Sequence, residues 1–320
     1  MSIVKYSTSN VPNTIRANNV AVGINNVNYG PTNITGFYSG SNVPSGGYVV
    51  YRFPSGDGNP NVYVAQNDTE LINLAGRRNA TTVDQAISHI NGLSNTIIMD
   101  RNYENIITDG LVSYLDAGTL MSYLRSGTTW RDISGNGNNG TLTNGPTFNS
   151  GNGGNIVFDG SNDFISILGS TSITTATLLI WVYRNGIQPN YAGIYYSRGF
   201  QANGLSFFST TNNLSYTWNS SSGTFSFNSN LNVPNLQWSM CAVSISATNA
   251  ILYVGSSSGL SSATNNVSNS PTIINGLRIA SDNFWSPFRG SVSNAMFYNR
   301  ALSQTEILQN FNNMKGRFGL

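Results

Sequence analysis

The sequence predicts a mainly β chain: a β-sandwich over residues 106–320 that ends on one helix, with a smaller α+β module over residues 1–105. Three observations predict this. Short apolar stretches recur about every 8–12 residues from residue 111 onward, separated by Asn, Gly and Ser turns. Charged residues make up only 9% of the chain, while 16 Tyr, 15 Phe and 5 Trp suit a pleated, half-buried surface. Helical periodicity is confined to two stretches before residue 94 and one after residue 301.

In the first module, GGYVVYRF (46–53) and NVYVAQ (61–66) read as two strands joined by the turn formers PSGDGNP. Asn67-Asp68-Thr69-Glu70 opens a short helix, DTELINLAG, that Gly76 ends. A second helix, TTVDQAISHINGL, places Val83, Ile87 and Ile90 on one face, and Gly92 stops it. His89 lies off that stripe and reads as a solvated residue. The polar segment MDRNYENIITDG (99–110) is the expected junction.

Beyond it, NIVFDG, TLLIWVYR, GLSFFST, NLSYTWN, WSMCAVSISA, NAILYVG, LRIAS and SVSNAMFY read as strands with no helix between them, which argues for a sandwich. Trp130 and Trp181 are expected in the core, with their indole N–H groups needing acceptors. Ser303-Gln304-Thr305-Glu306 is a capping box, with Leu302 and Ile307 as a hydrophobic staple. The helix that follows, LSQTEILQNFNNM, should turn Ile307, Leu308 and Phe311 toward the sandwich.

Composition excludes several functions. Lysine occurs only at Lys5 and Lys315, and the net charge is +2, so no basic stripe exists to neutralise phosphates and no nucleic-acid partner is expected. No run reaches about 18 apolar residues, so no helical membrane span is expected. Cys241 and His89 are the only residues of their kinds, which rules out an intramolecular disulfide and a Cys/His zinc site. The N-terminal MSIVKYSTSNVPNTIRANN lacks a secretory leader pattern, so the chain is expected to be made and kept in the cytosol or to leave the cell by a route other than secretion.

The stretch DISGNGNNGTLTNGPTF (132–148) opens like a calcium loop, with Asp132, Ser134, Asn136 and Gly137 at positions 1, 3, 5 and 6. Position 12 is Thr143, which offers no bidentate carboxylate, and no helices flank it, so the EF-hand reading fails. A phosphate loop would need Gly-Lys-Ser/Thr, which is absent. The stretch reads chiefly as tight turns, since Asn-Gly pairs accept positive φ. A rim cation, calcium being the candidate, stays open as a second reading, with Asp132, Asn136, Asp159 and Asp163 as its ligands. No cofactor is required.

The run GLVSYLDAG (110–118), SGTTWRDISGNGNNGTL (126–142), NIVFDGSNDFISI (155–167), TLLIWVYR (177–184) and FRGSVSNAMFYNRALSQTEILQNF (288–311) resembles a concanavalin A-like, laminin-G-like jelly-roll domain. The resemblance covers about two thirds of the chain. The segments GGYVVYRF, PNVYVAQNDTELINLAG and TTVDQAISHINGL are similar to a module joined to such domains in structural proteins of large tailed phages, especially cyanobacterial ones. Related domains often carry an acidic residue soon after the glycine of the last strand. Here Gly290-Ser291-Val292-Ser293-Asn294 has none, which puts a family calcium site in doubt.

Some jelly-roll relatives are glycoside hydrolases, which need two carboxylates flanking the scissile bond, about 5–5.5 or 6.5–9.5 Å apart by mechanism. Asp116, Asp132, Asp159, Asp163, Asp282 and Glu306 show no paired pattern on one strand, so no enzyme is expected. Sugar binding is easier to support, because aromatic faces cover the apolar side of a pyranose and neutral groups meet its hydroxyls. NYAGIYYSRGF (190–200) offers Tyr191, Tyr195, Tyr196 and Arg198, and SDNFWSPFRG (281–290) offers Asp282, Asn283, Phe284 and Trp285, both read as loops. For each of these aromatics a place in the core is the competing reading.

The resemblance implies a non-enzymatic virion structural protein of decoration or fibre type. Residues 1–105 would seat it on other virion proteins, and the jelly roll would face outward toward host-surface glycans. Such a protein would be a homo-oligomer, a trimer for instance, assembled in the host cytoplasm and carried on the outer surface of the particle. A purely structural capsid or tail domain without ligand, and a free-standing lectin, stand beside this reading.

Overall fold

The computed structural model describes residues 106–119, 122–208, 211–282 and 286–320, together with six short strands in the first 105 residues. The chain divides into two compact units, Met1–Ile106 and Ile107–Leu320. The strands of the first unit are β1 (Val4–Tyr6), β2 (Arg16–Ala17), β3 (Val20–Ala21), β4 (Tyr48–Arg52), β5 (Asn61–Ala65) and β6 (Thr96–Asp100). Four form an antiparallel sheet in the order β1-β5-β4-β6, and β2 pairs with β3. The two strands expected at 46–53 and 61–66 are β4 and β5, paired from Tyr48 opposite Ala65 to Arg52 opposite Asn61. Strand β6 takes up Met99 and Asp100, so the expected junction begins inside a strand. The two expected helices and His89 lie outside the described residues.

The second unit continues with β7 (Leu111–Asp116), β8 (Thr129–Trp130), β9 (Gly140–Thr143), β10 (Thr147–Asn149), β11 (Asn155–Asp159), β12 (Phe164–Ile173), β13 (Ala176–Arg184), β14 (Gly193–Arg198), β15 (Ala202–Phe208) and β16 (Asn213–Thr217). A single-turn helix α1 (Ser222–Phe225) precedes β17 (Trp238–Ile245), β18 (Ala250–Ser256), β19 (Gly259–Asn265), β20 (Thr272–Ile279), β21 (Arg289–Tyr298) and helix α2 (Gln304–Met314). Two antiparallel sheets result. The first has the order β10-β11-β21-β13-β17-β18-β19, with β7 also paired to β21, and the second β16-β15-β14-β20-β12-β9-β8.

Alternation along each strand decides what faces inward. Leu178, Ile180 and Val182 of β13, Cys241, Val243 and Ile245 of β17, and Leu252 and Val254 of β18 meet Ile165, Ile167, Leu205, Phe207, Leu277 and Ile279 of the second sheet in one core. Trp130 belongs to that core. Burial pushes the Cys241 thiol far up, so it packs as a small apolar group.

The central strands of the first sheet are buried on their outer face too. This explains why TLLIWVYR is apolar at almost every position rather than at alternate ones. Trp181 points away from the sandwich core and stacks on Phe318 (centroids 4.2 Å apart) and Phe311 (5.8 Å). Helix α2 supplies this cover. Its capping box is formed in both directions, and Ile307, Phe311 and Met314 are its buried apolar side chains. Leu302 and Ile307 are both buried, as a staple requires. Leu308 was expected to face the sandwich and is instead exposed. It sits one residue past Ile307, about 100° round the helix from the buried stripe.

A buried ion pair locks the chain end. Arg317 Nη1 lies 2.7 and 2.9 Å from the two oxygens of Asp116 on β7, and the guanidinium also donates to the carbonyls of Asn152 and Gly154. Both side chains are almost fully buried.

Candidate functional site

The expected cation loop is a hydrogen-bonded clamp. Asp132 Oδ1 accepts from the backbone N–H groups of Tyr114 (2.8 Å) and Ser134 (2.9 Å), and Oδ2 from Ser134 Oγ (2.8 Å) and the Asn138 N–H (2.9 Å). Asn136 and Asn138 turn their amide N–H groups onto the carbonyls of Leu111 and Val112 in β7. Both carboxylate oxygens of Asp132 thus accept from donors of the protein, and the Asn136 amide turns its N–H groups onto backbone carbonyls. Asp159 and Asp163 are brought together but around a turn: Asp163 Oδ2 accepts from the Asp159 N–H (3.1 Å), and Asp159 Oδ1 from the Ser161 N–H (2.7 Å). Burial, with the neighbouring Asp159 charge, raises the Asp163 carboxyl. No hydrogen bond joins the 159–163 turn to Asp132. Among the described residues no three His, Cys, Asp or Glu side chains gather to share an ion. The structure thus places these four residues in two separate turns, Asp132 with Asn136 and Asp159 with Asp163.

The expected aromatic platform is also corrected. NYAGIYYSRGF is largely strand β14 rather than loop, because its Ile-Tyr-Tyr run pairs with β15 and β20. Tyr195 is consequently inside the core, its phenol 3.4 Å from Ser113 Oγ and pushed far up by burial. Tyr196 points the other way but is also buried; it reaches Thr217 across Gly204, which has no side chain to obstruct it. Tyr191 is 42% exposed at the loop before β14 and meets Phe208 edge-on. Arg198 lies over the Tyr196 ring (5.7 Å) and pairs with the buried Asp282 carboxylate (3.4 Å). Asn283, Phe284 and Trp285 lie outside the described residues. Tyr195 and Tyr196 thus leave the set of exposed sugar-stacking candidates, and Tyr191 and Arg198 remain at the surface.

What β14 does position is the outer face of the second sheet. Paired residues form a row across it: Thr217, Gly204, Tyr196, Arg278, Ser166, Thr141 and Thr129 on β16, β15, β14, β20, β12, β9 and β8. Arg278 and Ser166 are half-buried, and Thr141 and Thr129 are exposed. Two residues along β12 and on the same face, Phe164 presents its ring beneath the Arg278 guanidinium, 4.2 Å from centroid to carbon. The face therefore carries two cation–aromatic pairs, Arg278 on Phe164 and Arg198 on Tyr196, beside a strip of hydroxyls.

The carboxylates of the second unit are engaged elsewhere. Asp109 and Glu306 hold Arg300, Asp116 holds Arg317, and Asp282 holds Arg198. Asp132, Asp159 and Asp163 accept the turn hydrogen bonds described above. Arg278 and Phe164 were not singled out in the sequence. The signal was present in LRIAS, where an arginine between Leu277 and Ile279 must face away from the core.

Residues 150–308 match a laminin G family model described as the concanavalin A-like lectin/glucanases superfamily. The second unit has the fold of a concanavalin A-like, laminin-G-like jelly roll, two antiparallel sheets packed as a sandwich with one C-terminal helix. No curated protein is a significant match to the sequence of this jelly-roll chain. Similar solved structures include domain 4 of AbnA, a GH43 extracellular arabinanase from Geobacillus stearothermophilus, in complex with arabinotriose (TM-score 0.46, 16% identity, 62% of this chain and 97% of that one). Trypanosoma rangeli sialidase gives a TM-score of 0.49 at 15% identity, covering 84% of this chain and 43% of that one. Botulinum neurotoxin type C, whose cell entry depends upon interaction with two ganglioside molecules, gives 0.48 at 14% identity, covering 65% and 52%. The chain spans under half of the sialidase and about half of the neurotoxin chain. At these values no residue or ligand is carried across from them.

Proposed function

We propose that the jelly roll is a non-enzymatic saccharide-binding domain displayed on a virion of a tailed phage, with residues 1–105 attaching it to the particle. The observation that carries the binding reading is the outer face of the second sheet. There Arg278 stacked on Phe164 adjoins the hydroxyls of Ser166 and Thr141, so apolar, hydrogen-bonding and charged groups share one surface. Sugars need that combination, and weak sites repeated on a particle gain strength through avidity. Binding is favoured over hydrolysis because the described carboxylates already serve arginines and turns, leaving no pair of acids on that face. The virion setting rests on the resemblance of the N-terminal segments to phage modules.

The full chain, multimerised on beads, is to be presented to a glycan array. Saturable binding that is lost on Phe164→Ala, with unchanged melting temperature, supports the reading, and no binding to any glycan sinks it. Mass spectrometry of purified particles tests the virion setting, which fails if the chain stays in the non-particle fraction.

A structural role without ligand is favoured by a different observation. Ile187 and Leu236 are 79% and 54% exposed on adjoining turns, which Leu236 N–H to Arg184 C=O and Gly186 N–H to Asn235 Oδ1 hold together. Exposed apolar residues so placed suit a subunit contact. Light scattering on Ile187→Ser/Leu236→Ser distinguishes the two: a shift to smaller particles supports a contact there.

A further inference from the structure

Resting on the saccharide-binding reading, we infer that the outer face of the second sheet reads acidic sugars, with Arg278 as the residue that takes the carboxylate of a uronate or sialate unit. Arg278 has no hydrogen-bond or ion-pair partner among the described residues; its one described contact is the face of Phe164. Each other feature of its surroundings points to an incoming anion. A contact with an aromatic face uses none of a guanidinium's N–H donors, which stay available to grip a carboxylate with two parallel hydrogen bonds. No described carboxylate stands near enough to compensate the charge. Burial alone acts on the group and lowers its affinity for a proton, so the cation is under-solvated where it sits. A partly desolvated cation without a counterion gains by pairing with an arriving anion.

The neighbours identify the rest of the ligand as a sugar. Ser166 and Thr141 follow Arg278 in register on the next two strands. Strands are spaced about 4.8 Å apart, so the strip from Arg278 to Thr141 runs roughly 10 Å, room for about two pyranose rings with the acid at one end. Hydroxyls that both donate and accept suit sugar hydroxyls. Arg198, already held by Asp282, bounds the site on the other side rather than competing for the acid.

The test uses the full chain and matched probes: trigalacturonate against its methyl ester, and 3′-sialyllactose against lactose, by calorimetry at low and high salt. The expected result is that at least one acid binds about tenfold or more tightly than its neutral partner, the worth of one charge-assisted pair. The preference should shrink with salt, disappear in Arg278→Gln and survive in part in Arg278→Lys, which keeps the charge but loses the fork. Neutral and acidic partners binding equally would overturn the inference while leaving the saccharide-binding reading standing. A preference undiminished in Arg278→Gln would also overturn it, since the carboxylate would then be read elsewhere. Failure of every probe and of the glycan array would remove both. If Arg278→Gln lowers the melting temperature, Arg278→Lys decides: a full, salt-insensitive preference in that variant counts against Arg278.

Discussion

The two sheets of the jelly roll treat their outer faces in opposite ways. On the first, Trp181 is sealed under Phe311 and Phe318 of the C-terminal helix and tail, and Arg317 is spent on Asp116. On the second, Phe164 carries an arginine with no described acid partner, beside exposed threonines. Each face combines aromatic rings with a guanidinium, but among the described residues only the first is covered, by the C-terminal helix and the turn after it. An aromatic or an arginine in a strand therefore says little about binding until the covering element is known.

The largest effects should come from opening the covered face. Trp181→Ala removes the ring stacked on Phe318 and Phe311 and is expected to cost about 3–5 kcal/mol, read as a fall in the urea midpoint. Arg317→Ala strands the Asp116 carboxylate in a buried site and is expected to cost about 3 kcal/mol or more. The milder Trp181→Phe should leave glycan binding unchanged, because the cover lies on the opposite side of the sandwich. Loss of binding in that folded variant would break the division between a structural face and a recognition face.

The Asp132 clamp comes next. Asp132→Ala leaves the N–H groups of Tyr114, Ser134 and Asn138 short of acceptors, with an expected cost of about 1–3 kcal/mol. The wild-type melting temperature should be the same in calcium and in chelator. A calcium-dependent rise, which ligand binding to the native state alone would produce, would restore the cation to this loop.

These contrasts also mark what could be read without coordinates. The strands β13, β17, β18 and β21 and the capping box follow from local periodicity and were legible. Strand β19, GLSSATN, was not, because it is an edge strand buried only at its last residue and has no apolar alternation to show. Strand β14 was masked by Gly193 and Gly199 at its ends, which imitate a loop. That error carried Tyr195 and Tyr196 into the expected site, since one pairing register decides which face each side chain takes. Trp181 was legible as buried but not as lying outside the sandwich core, for its partners Phe311 and Phe318 are more than a hundred residues away. The candidate site was the least legible part: its row joins residues from seven strands, and only pairing brings them together.

Glu306 sharpens the comparison through pH. Its carboxylate is held by Arg300 (2.6 and 3.1 Å), with Ser303 adding hydrogen bonds, and its pKa falls from the ordinary 4.5 to about 2. A depressed carboxyl stabilises the fold above its unfolded pKa and loses that contribution as pH falls through the folded value. Glu306→Gln should therefore cost about 1 kcal/mol at neutral pH, a difference that holds down to about pH 4.5 and shrinks toward pH 2. A wild-type advantage that persists at pH 2 would mean that the capping geometry, not the charge, supports the covering helix.

The smallest stability effect is expected on the open face, and its smallness is the point. Arg278→Gln removes a cation–aromatic contact at a half-exposed site, worth about 0.5–1 kcal/mol, and leaves no described carboxylate without its partner. Replacing Arg317 on the covered face breaks a buried pair, whereas replacing Arg278 breaks none. If Arg278→Gln proves as damaging as Arg317→Ala in a urea melt, Arg278 is a structural residue with a partner beyond the described residues, and the two faces differ only in which part of the chain covers them. If instead the melt barely moves while binding of acidic sugars falls, stability and recognition are divided between the two sides of one sandwich.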